Sequence, residues 1–303
     1  MDSAGLLAYL ETFMAKEDIR TKEPMSRHTS FRVGGPAGVF ICVPGEEELR
    51  RIVPYLYSHK IPYFILGNGT NLLVSDEGYE GVILSLGEAF AGLEIFDTQM
   101  KIGAACLLGR MAKEAMEASL SGLEFAAGIP GSVGGGVVMN AGAYGGEMSQ
   151  VVTGVRAMNE QGEIMVLKKE ELQMGYRNSI FKKKPYIVLE VNARLQPVER
   201  GEILARMQEY NRLRQEKQPL EYPSAGSSFK RPEGYYAGKL IMDAGLRGLS
   251  VGGAQVSEKH CGFVINKNKA TAADIKLLME EVQRQVKQQF DVELEPEVIF
   301  LGY

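Results

Sequence analysis

Cysteine and histidine are scarce, with three of each in 303 residues. Cys42, Cys106 and Cys261 are odd in number, far apart and without a histidine cluster beside them. That pattern supports neither a disulfide framework nor a zinc site, and it fits a reducing cytoplasm; no metal is expected. Charge of one sign is also lacking. A formal net charge of -4, from 34 basic and 38 acidic residues, argues against a nucleic-acid partner, although a local basic site can still hold a small anion. No stretch approaches the roughly eighteen apolar residues of a membrane span, so no membrane partner is expected. The amino terminus, MDSAGLLAYLETFMAKEDIR, has acidic residues and a helical stripe of Leu6, Leu10, Phe13 and Met14 where a leader would have a basic and then an apolar region. Internal repeats and low-complexity tracts are missing too. What remains is an ordinary globular composition, 45% hydrophobic and 24% charged, in a chain long enough for two or three domains.

Glycine, by contrast, is plentiful and concentrated. The segment from Gly128 to Gly146, GIPGSVGGGVVMNAGAYGG, holds too much of it for a helix or strand chosen for stability. Such a run is expected where backbone must approach a ligand closely, and bare N–H groups in a tight loop suit a phosphate. A second cluster lies in residues 61–76, IPYFILGNGTNLLVSD. An apolar run ends there in Gly67, Asn68, Gly69, Thr70 and Asn71, then another begins, which reads as strand, polar loop, strand or short helix. Neither this loop nor Gly131, Gly134 and Gly136 has the spacing of the dinucleotide fingerprint, so a Rossmann NAD site is not supported. Two hairpin turns are the alternative to a ligand cradle.

Strand-like and helical runs alternate along the chain. FRVGGPAGVFICVP reads as a hairpin. EEELRRIVPYLYSHK has helical spacing at Leu49, Ile52, Val53 and Leu56, with Pro54 expected to kink or shorten it. A helix is expected near Leu107–Leu120, with Met111, Ala115 and Met116 inward and Gly122 as its stop. VVTGVRAMN, EIMVLKK and YIVLEVNARL suggest a meander. Residues 199–217 read as a charged amphipathic helix ended by Pro219 and Pro223, which makes Gln196–Gly201 a domain boundary. GKLIMDAG reads as a short helix, GGAQVS and GFVINK as strands, and Thr271 with Asp274 as a capping-box start of a last helix.

SFRVGGPA, LGNGTNLLVSD, EFAAGIPGSVGGGVVMNAGAYGGE, GYRNSIF, PSAGSSFKRP, GKLIMDAGLRG, GGAQVSEKHCGFVIN and LEPEVIFLG follow one another along nearly the whole chain. In this order and spacing they resemble the UDP-N-acetylenolpyruvoylglucosamine reductases, flavoenzymes of bacterial peptidoglycan precursor synthesis. The resemblance implies an α+β fold: a two-part FAD-binding unit of the vanillyl-alcohol-oxidase type and a C-terminal α/β substrate-binding domain. It sets the spans at residues 1–84, 85–197 and 198–303, with a strand at 298–303 returning to the first. Little room is left between Pro197 and Tyr303 for the insertion of the longer branch, so the chain looks like the shorter, second type. It implies non-covalent FAD, NADPH as hydride donor, and a monomeric cytoplasmic oxidoreductase acting on a CH–CH group. The product would be UDP-N-acetylmuramate, made from the enolpyruvyl ether of UDP-N-acetylglucosamine.

The same resemblance assigns residues. Hydride reaches the alkene carbon β to a carboxylate, so charge builds on that carboxylate and a proton must then reach the α carbon. Arg177 in GYRNSIF matches the arginine that polarises the carboxylate, and Glu297 in LEPEV the glutamate paired with it; Glu295, two residues away, is the competing assignment. Ser227 matches the proton donor, with Ser228 leaving the register open. Leu66, Gly67, Asn68, Gly69, Thr70, Asn71 and Leu72 match the first FAD loop. Gly128, Ile129, Pro130, Gly131, Ser132, Gly134, Gly135, Asn140, Ala141 and Gly142 match the second, with side-chain bonds expected from Asn71, Ser132 and Asn140. Lys217 and Arg231 match basic positions that hold the substrate, with Arg214, Lys230 and Lys239 as weaker candidates, and Tyr176, next to the key arginine, is a further substrate contact. Thr70, Cys261 and His28 stand where Ser, Ala and Asn are common in the family. An oxidase of the same superfamily and a nucleotide-sugar sensor without activity are the rival readings. No histidine lies in a glycine loop to tether a flavin, and Arg177, Ser227 and Glu297 are all present, which counts against both.

Overall fold

The computed structural model describes residues 3–303. The chain forms two compact units, each assembled from separate segments. The first combines the segment ending at Thr21 with Val39–Asn68 and Gly81–Arg214, and the second combines Lys22–Gly38, Gly69–Glu80 and Gln215–Tyr303. This division cuts across the three contiguous spans expected from the sequence: most of the helix Arg200–Lys217 goes with the first unit, while 22–38 and 69–80 go with the second.

One sheet of the first unit has the strand order Ile19–Pro24, Pro36–Val43, Tyr79–Leu86, Tyr63–Leu66. Its core joins Val39, Ile41 and Val43 to Leu6 and Leu10 and to the inner stripe of the helix Glu46–Ser58. Pro54 does not end that helix. Burying Leu49, Ile52, Val53 and Leu56 contributes about 1.5–3 kcal/mol for each side chain, which outweighs the ~3 kcal/mol cost of one internal proline. The hairpin expected from residues 31–44 is instead a single strand, Pro36–Val43. Gly34 and Gly35 bond elsewhere: Met25 N–H donates to Gly35 O, Ser26 N–H to Gly34 O, and Gly35 N–H to Ser75 O.

The second sheet of this unit is antiparallel, in the order Ile164–Lys168, Val152–Met158, Ile187–Arg194, Gln99–Gly103, Leu93–Phe96. It is not the meander read from the sequence, because Val152–Met158 lies between the other two strands of that run. The connection between Ile164–Lys168 and Ile187–Arg194 makes a long detour anchored in the core by Leu172, Ile180 and Phe181. That detour carries Arg177. Against this sheet lie the helix Leu108–Glu117 and a short helix, Val133–Val138, inside the glycine-rich segment where no helix was expected. Packing explains the composition: side chains at Gly134 and Gly136 would place a Cβ 3.0 Å from Ala104 Cβ and 3.1 Å from Leu108 Cδ2.

Glu124 is buried in this unit and still ionised. Burial opposes its charge, but the Ser121 hydroxyl at 2.7 Å, the Gly122 N–H at 2.8 Å and Arg206 at 3.3 Å outweigh it and hold its pKa below the ordinary value. A depressed carboxylate stabilises fully above its unfolded pKa, and that contribution is lost as pH falls through the folded value. Glu124→Gln is therefore expected to cost about 1.5–3 kcal/mol at neutral pH, with the gap to wild type closing in acid. Denaturant melts at neutral and acid pH would show it, and a gap independent of pH would reject the ionised assignment.

In the second unit the helix Ala272–Phe290 packs Ile275, Leu278, Met279, Val282 and Val286 into a core shared with Leu240, Ile241, Val256 and Val264. The expected capping box is present: Thr271 Oγ1 accepts the Asp274 N–H at 3.0 Å, and Asp274 Oδ2 accepts the Thr271 N–H at 3.0 Å. Strand Ile299–Leu301 runs parallel to Leu72–Val74.

Candidate active site

Strand Tyr63–Leu66 delivers Gly67 and Asn68, which the first unit sets beside the second glycine loop. A Cβ on Gly67 would stand 2.6 Å from Ser132 Oγ, and Asn68 Nδ2 donates to Pro130 O. Ser132 caps the helix Val133–Val138 by accepting the Gly135 N–H at 3.3 Å. Gly67, Asn68, Pro130 and Gly135 are exposed together on this surface. Backbone without side chains there leaves room for a diphosphate, so Leu66–Asn68 and Gly128–Gly135 fit a bound FAD. Gly128 also abuts the helix Arg200–Lys217: a Cβ would lie 3.0 Å from Arg214 Nη1. Burial pulls the Arg214 pKa down, with Tyr144 opposing, yet a guanidinium stays charged in water-accessible pH ranges.

Gly69, Thr70, Asn71 and Leu72 belong to the second unit. Gly69 has φ +61°, and a Cβ would meet His28 O at 1.8 Å. Asn71 behaves differently from the sequence expectation. Its Nδ2 donates to the backbone carbonyl of Glu297 at 2.9 Å, so the amide braces the chain at a candidate catalytic residue.

Asn140 departs in the same way. It is fully buried, its Nδ2 donates to Gly175 O at 3.0 Å, and its Oδ1 accepts the Ser149 N–H at 2.9 Å. Both ends of the amide are thus committed to protein backbone. Gly175 and Asn178 close a two-residue turn through reciprocal N–H···O bonds of 3.0 and 3.1 Å, with Tyr176 and Arg177 at its tip. Tyr176 is 52% exposed, and the Arg177 guanidinium carbon lies 5.2 Å from its ring centroid.

Within the second unit the segment that follows Ser227 pairs with the segment that carries Glu297. Glu297 N–H donates to Ser228 O at 2.9 Å and Lys230 N–H to Glu295 O at 2.8 Å, so residues 228–230 run antiparallel to 295–297. Ser228 lies opposite Glu297 but is fully buried, and its Oγ accepts the Val264 N–H at 2.9 Å. Ser227 is half-buried and reachable. Glu295 is exposed and paired with Lys230, whereas Glu297 is half-buried with its backbone fixed on both sides, by Ser228 and by Asn71.

The expected substrate cations are more scattered. Arg231 lies over the Tyr236 ring at 4.6 Å, Lys239 pairs with Asp243 at 2.6 Å on an exposed helix face, and Lys217 is exposed. His260 accepts the Gly262 N–H on Nδ1 at 3.1 Å, and burial pushes its pKa down, so a neutral ring is favoured. Among the described residues no group of His, Cys, Asp or Glu could hold a metal ion, and no helix is long and apolar enough to cross a membrane.

Comparison with known proteins places the chain in a family. A family model described as an FAD binding domain matches residues 37–168, and one for the C-terminal domain of UDP-N-acetylenolpyruvoylglucosamine reductase matches residues 218–301. The reductase of Lachnoclostridium phytofermentans is 48% identical over 98% of this chain and 97% of its own. That of Clostridioides difficile is 46% identical over 100% and 99%. The crystal structure of the Thermus caldophilus reductase covers 94% of this chain and 100% of its own at 38% identity, with a TM-score of 0.81. Phl p 4.0202, a glucose dehydrogenase, superposes on 65% of this chain and 44% of its own at 16% identity and a TM-score of 0.50, a likeness of fold alone. The fold is thus α+β, an FAD-binding domain followed by the reductase's C-terminal domain, and the chain belongs to the UDP-N-acetylenolpyruvoylglucosamine reductase family.

Proposed function

We infer that this chain catalyses the family's reaction, the NADPH-dependent, FAD-mediated reduction of UDP-N-acetylenolpyruvoylglucosamine to UDP-N-acetylmuramate, as a cytoplasmic monomer of the shorter type. The observation that supports it is the backbone pairing of segment 228–230 with 295–297, which joins the segment following Ser227 to the one that carries Glu297. When bound, FAD supplies the hydride relay from NADPH to the alkene. The protein's own groups supply the rest. Leu66–Leu72 and Gly128–Gly142 cradle the cofactor, chiefly through backbone N–H groups and Ser132, since Asn71 and Asn140 serve as braces.

Arg177 meets the enolpyruvyl carboxylate, where a planar fork of donors matches two carboxylate oxygens. Glu297 acts in its protonated form, as a carboxylic acid whose O–H donates a hydrogen bond to the charge that grows on the substrate, and Ser227 Oγ gives its proton to the α carbon. Tyr176, Lys217, Arg231 and Lys239 bind the UDP-sugar, with Lys239 exchanging its Asp243 partner for phosphate. The protein is expected to purify yellow, with one FAD released by denaturation, to bleach with NADPH and to recover colour on addition of the enolpyruvyl substrate. A protein that stays colourless with added FAD, or a reduced flavin that recovers with O2 but not with substrate, would overturn the reading.

A further inference from the structure

We propose that Asn140 is a positioning residue for Arg177, its side-chain amide fixing the turn that presents the guanidinium. The proposal rests on the reading of Arg177 as the carboxylate partner. Arg177 has φ 51°, in the left-handed region, and occupies the second tip position of a two-residue turn. That position favours Gly or Asn, and an arginine there is strained by about 1–2 kcal/mol. Such strain persists only where the surroundings over-determine the backbone. Here both ends of the turn are pinned from fully buried positions. Asn140 Nδ2 holds Gly175 O at 3.0 Å, and Ser179 Oγ donates to Val138 O at 2.7 Å.

Both anchors sit at the end of the helix Val133–Val138, whose opening turn carries Ser132. Asn140 is itself anchored, through Oδ1 and the Ser149 N–H at 2.9 Å. A short, stiff path therefore runs from the second glycine loop to the arginine. Oriented groups lose on the order of 10²-fold in rate for about 1 Å of misplacement, so the turn's geometry has kinetic weight.

Asn140 also has a left-handed backbone, φ 43°, which glycine adopts without a Cβ penalty. Asn140→Gly therefore removes the amide while sparing the local conformation. Three measurements on this variant test the proposal. First, flavin reoxidation by the enolpyruvyl substrate, taken relative to flavin reduction by NADPH in the same preparation, is expected to fall ~10–100-fold. Second, in a double-mutant cycle with Arg177→Lys the two losses are expected to overlap, so that adding Asn140→Gly to Arg177→Lys costs less than about threefold more. Third, in the apoprotein the Gly175 and Asn178 amides should exchange with solvent faster, while those of Ile187–Arg194 keep their protection.

Unchanged exchange at Gly175 and Asn178 would overturn the brace. Fully multiplicative losses, or an unchanged ratio of half-reactions despite faster exchange, would overturn the link to Arg177. If Arg177→Lys were also silent, the fault would lie in the role given to Arg177 and not in the brace. Should Asn140→Gly fail to fold, Ser179→Ala tests the other anchor of the same turn by the same three readouts.

Discussion

Ser227→Ala is expected to slow flavin reoxidation by substrate on the order of 10²–10⁴-fold, the typical loss of a general acid, while flavin reduction by NADPH changes little. The asymmetry follows from the chemistry, because only the second half-reaction creates a basic carbon that must be protonated. The neighbouring serine should behave differently. Ser228 Oγ accepts the Val264 N–H at 2.9 Å in a fully buried place, so Ser228→Ala leaves that N–H without its partner. A loss of about 1–3 kcal/mol in stability is expected there, with both half-reactions affected alike. Stopped-flow traces for each half-reaction and thermal melts of the two variants decide the register. A selective kinetic defect in Ser228→Ala, with Ser227→Ala unaffected, would transfer the proton donor to Ser228.

The two serines also show where sequence reading ends. Motif spacing favoured Ser227 but left Ser228 open, because which of two adjacent hydroxyls turns inward depends on a partner, Val264, 36 residues along the chain. Local physics was legible wherever the interaction itself is local. The Thr271–Asp274 capping box joins residues three positions apart and is readable, as is the apolar stripe of Glu46–Ser58. Asn71 and Asn140 make bonds to distant backbone that no local pattern announces. An asparagine in a glycine loop looks like a ligand donor, yet the carbonyls these two hold lie 226 and 35 residues away. The glycine-rich helix Val133–Val138 was missed because its glycines answer to close packing against Ala104 and Leu108, which no propensity scale contains.

The strand order was hidden as well. Val152–Met158, Ile164–Lys168 and Ile187–Arg194 follow one another in sequence, but the last strand pairs with the first, after a detour that buries Leu172, Ile180 and Phe181. Hydrophobic pattern gives strands and faces; it does not say which neighbour a strand takes. The detour matters for function, since its only sharp two-residue turn closed by reciprocal backbone bonds among the described residues of GYRNSIF is the one that holds Arg177.

Arg177→Lys and Glu297→Ala are each expected to lower kcat by ~10²–10³, with a much smaller change in substrate KM. Both groups are aimed at a charge that grows as hydride arrives, and an interaction stronger in the transition state than in the ground state appears in turnover. Lysine keeps the charge but lacks the planar fork, and it loses the stacking contact that places the guanidinium 5.2 Å from the Tyr176 ring. Glu297→Gln separates two jobs of the carboxyl. Glutamine still donates a hydrogen bond but has no transferable proton, so it should retain more activity than Glu297→Ala if the glutamate works by hydrogen bonding. Because Ser228 O and Asn71 Nδ2 hold the Glu297 backbone from both sides, the replacement side chain starts from the same place, and the comparison reads chemistry without a shift of the chain. Glu295→Gln supplies the control, since that carboxylate is exposed and paired with Lys230, and its variant should turn over as wild type does. Single-turnover oxidation of the reduced enzyme by substrate measures all four variants. Wild-type rates in Arg177→Lys, Glu297→Gln and Glu297→Ala would remove both residues from the catalytic set, and a defect confined to Glu295→Gln would move the carboxyl's role two residues upstream.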